Sequence, residues 1–285
     1  MQVISFMNMK GGVGKTTLTV NVAYALANLH GKKVLVVDGD PQFNATQYLM
    51  KEDDYFAHIS DRKKGTLMDI FVPRRPGPMK TVSGSARAVD KKKMTLSSCI
   101  FTIYDGGTGR GRLDLIPSTL NMIDIETSRR GTENMLNLYL REKATSYDYV
   151  LIDCPPTISV FTQAAILASQ KYLVPVKPDP LSIIGLPLLE QWLSEYLYQN
   201  GLTVEPIGLV FTLVRGPTPR RMKEVMADTR RTRKDAVFAS HLSEATDVAE
   251  SVEAHRPVFL YRPSGKTAGE IKAITEEFVE RTSGD

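Results

Sequence analysis

Cysteine is scarce in this chain: two residues in 285, Cys99 and Cys154, lie far apart with no C-x-x-C. That argues against a disulfide framework, a cysteine zinc site and an iron–sulfur cluster held within one chain. Histidine is almost as sparse, and His30, His58, His241 and His255 lack metal-ligand spacing. Long apolar runs are missing too, none approaching the roughly 18 residues of a membrane span. The first residues lack the basic, apolar and small-residue order of a signal peptide, so the cytoplasm is the expected location. An excess of one charge is also absent, since the formal net charge is only +4. That charge is uneven: residues 74–93 carry +6 and residues 215–234 carry another +6, which leaves the remainder acidic. Two basic segments on an acidic body predict an anionic partner met at particular places.

What is present is an alternation. Val-, Ile- and Leu-rich runs start at residues 2 (QVISF), 33 (KVLVVD), 113 (LDLIP), 149 (YVLIDC), 171 (KYLVPV) and 207 (IGLVFTLV). Helical patterns fall between them at about 15–30, 133–145, 160–168, 181–199, 219–233 and 267–281. Near-continuous apolar strands separated by helices predict an α/β fold, a doubly wound and mostly parallel sheet with helices on both faces. A single domain over 1–285 is expected, with a basic, partly loop-like insertion at about 51–112 holding a short helix near 66–71 and an extended piece near 98–104.

Chemistry enters with MNMKGGVGKTT, residues 7–17, between the first strand and the first helix. Glycines in that position let backbone N–H groups converge on phosphate oxygens, with the helix dipole behind them. Lys15 can then reach the β- and γ-phosphates and Thr16 can hold Mg²⁺. The usual G-x-x-x-x-G-K-[ST] spacing would put a glycine at position 9, where Met9 stands, and an extra lysine, Lys10, precedes Gly11-Gly12. Next, DGDPQFNAT places Asp38 and Asp40 at the C-terminal end of the second strand, where ligands of open α/β sheets bind. The strand YVLID ends in Asp153, which a phosphate loop can use to orient Mg²⁺ through water.

The set KGGVGKTT, VVDGDPQFNAT, VLIDCPP and PVKPDPLSIIGL resembles the ParA/MinD group of P-loop ATPases, and DPQFNAT is more like ParA than MinD. The likeness covers residues 1–50 and about 113–280. It implies ATP and Mg²⁺ as cofactors, with Lys10, Gly11, Gly12, Val13, Gly14, Lys15, Thr16 and Thr17 around the nucleotide. It further implies that Lys10 crosses an ATP-sandwich homodimer to the partner's phosphates, much as an arginine finger does. Asp40 would position the attacking water, Thr16 would ligate Mg²⁺ directly, and Asp38 would help order the metal and its waters. Adenine is expected near Thr212, Leu213, Val214 and the PVKPDP loop. In such proteins a centromere-binding or cargo-adaptor protein stimulates hydrolysis.

Within the group, a MinD-like regulator at a membrane or on a protein assembly would carry an apolar, basic C-terminal helix. EIKAITEEFVERTSGD is instead acidic, with only Lys272 and Arg281 as cations, so no membrane partner is expected. A nitrogenase-reductase-like carrier would need suitably placed cysteines, and a tyrosine-kinase-like relative a terminal tyrosine cluster. Between residues 219 and 234, Arg220, Lys223, Arg231 and Lys234 share one helical face while Met222, Val225, Met226 and Thr229 share another. This favours nonspecific binding to the DNA backbone and nucleoid association of the ATP state. For Arg74, Arg75, Lys80, Arg87 and Lys91 to Lys93, further DNA contacts and a merely soluble loop are both open readings. With the first strand starting at residue 2, an N-terminal helix-turn-helix for operator binding is not expected.

Overall fold

The structure, a computed structural model, describes residues 1–72, 95–127 and 131–283. The basic segment 74–93 lies outside the described residues. The strands are β1 (Gln2–Phe6), β2 (Lys33–Asp38), β3 (Phe101–Asp105), β4 (Arg112–Ile116), β5 (Tyr149–Asp153), β6 (Lys171–Val176), β7 (Glu205–Val214) and β8 (Val237–Ser243). They form one sheet in the order β3-β4-β2-β5-β1-β6-β7-β8, in which every neighbouring pair is parallel except β3–β4.

Because strand side chains alternate, each central strand feeds two cores. Val3, Leu35, Val37, Val150 and Ile152 enter one, and Ile4, Phe6, Val34, Val36 and Leu151 enter the other. The second is covered by α1 (Lys15–His30), α2 (Asn44–Leu49) and three helices that follow β8. Before those in the chain come α3 (Glu52–Ser60), α4 (Leu67–Phe71), α5 (Leu96–Cys99), α6 (Met135–Lys143), α7 (Val160–Ala168), α8 (Pro180–Asn200) and α9 (Arg220–Arg233). The last three are α10 (Thr246–Glu253), α11 (Val258–Tyr261) and α12 (Lys266–Thr282). Leu67 and Phe71 of α4, Leu136 of α6, Phe161 of α7, Leu189 of α8 and Met226 of α9 fill the first core. The three-layer α/β architecture expected from the alternation is present.

Part of the expected insertion belongs to this sheet. The short helix near 66–71 is α4, and the extended piece near 98–104 is edge strand β3, tied to β4 by the buried carboxylate of Asp114. That carboxylate accepts from Thr102 Oγ1 at 2.7 Å, Arg112 Nε at 2.6 Å and the Tyr147 hydroxyl at 2.6 Å.

The parallel arrangement sends the C-terminal ends of β1, β2, β5, β6 and β7 to one edge. Register pairs Asp38 and Phe6 with Asp153 there. Gly39 makes the approach of β2 to β5 possible: its N–H donates to the Asp153 carbonyl at 2.9 Å, and a Cβ at this position would lie 2.7 Å from that oxygen.

Candidate functional site

The loop after β1 is fixed from below before it can hold anything above. Asn8 donates from Nδ2 to the Pro175 carbonyl at 2.8 Å and accepts the Lys10 N–H at 2.9 Å, which ties the loop to β6. Gly12 and Gly14 take left-handed backbone (φ 68° and 76°), a conformation glycine adopts without strain. Gly14 caps α1, whose first N–H groups point into the loop.

Above it lies a cleft of about 420 Å³, lined by the loop from Gly11 to Thr17, by Asp40, Asn44, Gln47, Tyr48 and Pro156, and by Leu213 and Val252. Lys15 is buried at its floor, its Nζ 3.3 Å from the Lys10 carbonyl. Burial holds its pKa below the usual lysine value, while Asp153, Cys154 and Asp40 pull the other way.

The three acids have distinct places. Asp40 lines the cleft. Asp38 is fully buried behind it, with Oδ2 taking the N–H and hydroxyl of Thr46 at 2.7 and 2.6 Å. Asp153 accepts the Thr16 hydroxyl on Oδ2 at 2.6 Å, and its other oxygen, Oδ1, is buried without a hydrogen-bond partner. An orphaned carboxylate oxygen beside a threonine hydroxyl is a hard-oxygen pair that fits Mg²⁺, which takes few protein ligands and completes its shell with water and phosphate. Among the described residues no group of three or more His, Cys, Asp or Glu side chains gathers as a metal centre. Cys99 and Cys154 are buried, unpaired thiols.

Thr212 and Val214 do not reach the cleft. Both are buried, and the Thr212 hydroxyl donates to the Val13 carbonyl at 2.5 Å, supporting the loop from beneath. Leu213 between them, at φ 53°, lines the cleft instead. Lys10 also stands apart. Its ammonium lies 2.9 Å from Asp179 Oδ1 and 2.9 Å from Ser182 Oγ, and it is not part of the cleft lining. Asp179 caps α8, accepting the Ser182 N–H at 2.9 Å. Its carboxyl is held below the usual aspartate pKa because the hydrogen bonds from Lys10 and Ser182 outweigh the opposing effect of burial. The helix start that these two residues form is legible in PVKPDPLS as Asp-Pro-x-Ser, while the lysine they receive is not.

The basic helix exists as α9. Met222, Met226 and Thr229 are buried and Val225 is half-buried, while Arg220, Lys223 and Arg231 are exposed on the opposite face. Arg220 pairs with Glu224 and Arg231 with Asp228, so two of the expected cations carry local counter-charges. Lys234 is exposed but stands past the helix end, at φ 43°. Arg233 turns to Glu190 on α8, and Arg230 lies over the Phe211 ring, its centre 5.4 Å away. Among the described residues no helix is long and apolar enough to cross a membrane.

The family described as AAA domain matches residues 1–200. The sporulation initiation inhibitor protein Soj of Bacillus subtilis is 29% identical over 94% of this chain and 94% of its own length. The cell division protein PomZ of Myxococcus xanthus is 28% identical over 97% of this chain and 77% of its own. In fold, a plasmid partition protein from Borrelia burgdorferi B31 bound to AMPPNP superposes with a TM-score of 0.75 at 21% identity, covering 98% of this chain and 99% of that one. With its two-lysine phosphate loop and its acids at the strand ends, the chain belongs to this AAA domain family and, within it, to the ParA/MinD-type P-loop ATPases.

Proposed function

We propose that this chain is a Mg²⁺-dependent ATPase that closes into a homodimer around ATP, binds DNA without sequence preference, and is reset when a partner protein stimulates hydrolysis. The work done would be to segregate or position DNA or another cargo. The observation that carries this reading is the place of Lys10. Its ammonium serves none of its own cleft and rests on Asp179 beside an exposed apolar stripe of α8, where Leu181, Ile184 and Leu188 are 73%, 66% and 62% exposed. A second copy covering that stripe removes apolar surface from water and brings Lys10 against a different chain's phosphates.

Within each cleft Lys15 neutralises phosphate charge, Asp40 orients the attacking water, and Leu213 meets the base. Thr16 and Asp153 would hold Mg²⁺, with Asp38 ordering its surroundings from behind. The metal supplies a positive charge against the triphosphate. The outer face of α9 meets DNA phosphates, and the hydrolysis-stimulating partner is a centromere-binding or cargo-adaptor protein. Relatives named for cell division, sporulation and partition support a positioning role.

Mixing two inactive variants tests the trans assignment. Lys10→Ala and Asp40→Ala are each expected to lose hydrolysis. Mixed in equal amounts they form dimers with one cleft that keeps its own Asp40 and receives an intact Lys10, so about a quarter of wild-type turnover returns. Absence of recovery at every mixing ratio overturns the assignment.

A further inference from the structure

A second cavity, of about 460 Å³, adjoins the cleft and shares Gln47 and Val252 with it. Its walls are aromatic. Phe43 and Tyr55 stack with centroids 5.6 Å apart and planes 5° from parallel, and the Phe56 ring, 52% exposed, stands 5.8 Å from that of Tyr55. Aromatic surface left in water at this scale marks a place where something else packs.

The carboxylates of the lining are Glu52 and Glu253, His255 lines it too, and Asp53 and Asp54 continue the acidic first turn of α3. Lys51 and Arg256 are near in sequence, yet no ion pair to any of these four acids is formed among the described residues. An aromatic floor beneath unpaired carboxylates is complementary to a cationic segment carrying an apolar anchor.

The cavity is wired to the chemistry through α2. Phe43 opens that helix at φ 44°, a left-handed conformation costly for a bulky side chain, and its N–H donates to the Asp40 carbonyl at 2.8 Å. One turn on, Thr46 holds Asp38 with both its donors. On the opposite wall His255, also left-handed at φ 52°, hydrogen-bonds the Gln47 carbonyl from Nδ1 at 2.7 Å. A side chain pressed against Phe43 therefore pushes on the segment that places both acids.

We infer that this cavity receives a basic peptide segment of the hydrolysis-stimulating partner, its aromatic or aliphatic anchor packed between Phe43 and Phe56 and its Lys or Arg residues against Glu52 and Glu253. The inference rests on the ATPase reading for its effect on turnover, but not for the binding itself.

The probe is a fluorescein-labelled Lys-Lys-Trp-Lys-Lys peptide, titrated into the full chain and followed by anisotropy. Binding is expected to weaken at least tenfold in Phe56→Ser and in the double variant Glu52→Lys, Glu253→Lys, and at least tenfold when the peptide's tryptophan is replaced by alanine. Saturating peptide should raise ATP turnover severalfold in the wild type and not in these variants, whose unstimulated turnover stays at the wild-type level. Equal binding to wild type and variants, or equal binding by the alanine peptide, overturns the site. If the variants instead lose ATP-driven dimerisation, the cavity is a contact between copies and the inference fails. Peptide binding measured without nucleotide reports on the cavity alone, so its failure is separable from failure of the Lys10 and Asp40 mixing experiment.

Discussion

Asp38 and Asp153 stand side by side at the ends of β2 and β5, and burial pushes their pKa values up to about 8 and about 7. The neighbouring Asp153 adds to the rise for Asp38, and Asp40 adds to it for Asp153. Unfolded, each titrates near pH 4, so from about pH 4 to about 8 the folded chain retains protons that the unfolded chain has released. Stability without metal therefore falls as pH rises through that window. A cation at Asp153 reverses this by favouring the ionised form, so Mg²⁺ with ATP should raise the Tm more at pH 8 than at pH 6, by an extra 5 °C or so. Asp153→Asn should flatten the metal-free pH dependence. Thermal scans giving the same slope for wild type and Asp153→Asn would refute the assignment of this carboxylate.

Helix α9 is where charge and packing divide most cleanly along one element. Its buried face packs in the first core, and Arg230 and Arg233 are engaged with Phe211 and Glu190, which leaves Arg220, Arg221, Lys223 and Arg231 with Lys234 just beyond. Replacing Arg231 and Lys234 by Ala should weaken duplex DNA binding and flatten its log–log salt dependence by roughly 0.9 for each phosphate no longer neutralised. ATP-driven dimerisation should be unchanged, and an unmoved salt slope would make this face merely solvated. Elements of this kind were readable because periodicity reports which face is buried. Six apolar runs became six strands for the same reason. Strand β8, VFASHLS, escaped because polar residues interrupt it at the sheet edge, and α2 escaped because six residues opened by a left-handed Phe43 carry no helical period. Of the three residues expected on the base side, Thr212, Leu213 and Val214, Leu213 lines the cleft. Thr212 turns to the loop and Val214 into the first core, and the left-handed backbone of Leu213 between them presents that side chain to the cleft. The loop from Gly11 to Thr17 was legible because glycine, lysine and threonine spacing follows directly from phosphate geometry. The resting place of Lys10 was not, since its hydrogen bond joins residues 169 positions apart.

For the molecule as a whole, the stripe of Leu181, Ile184 and Leu188 is the surface that a second copy has most reason to cover. Ile184→Glu changes a side chain that is already 66% exposed, so the Tm of the single chain should move by little more than experimental scatter. In the ATP-driven pair it would bury an unpaired carboxylate, and the dissociation constant should rise tenfold or more. Sedimentation of the ATP-loaded variant as wild-type dimer would remove the stripe from the proposed interface. The position of Lys10 has a further consequence. A cation that rests on Asp179 of its own chain would, under the proposed role across the dimer, make hydrolysis a property of encounters. In dilute solution turnover per chain should climb with concentration, and any surface that gathers copies, DNA included, would hasten it without touching the cleft. Such an ATPase reads how crowded its own kind has become.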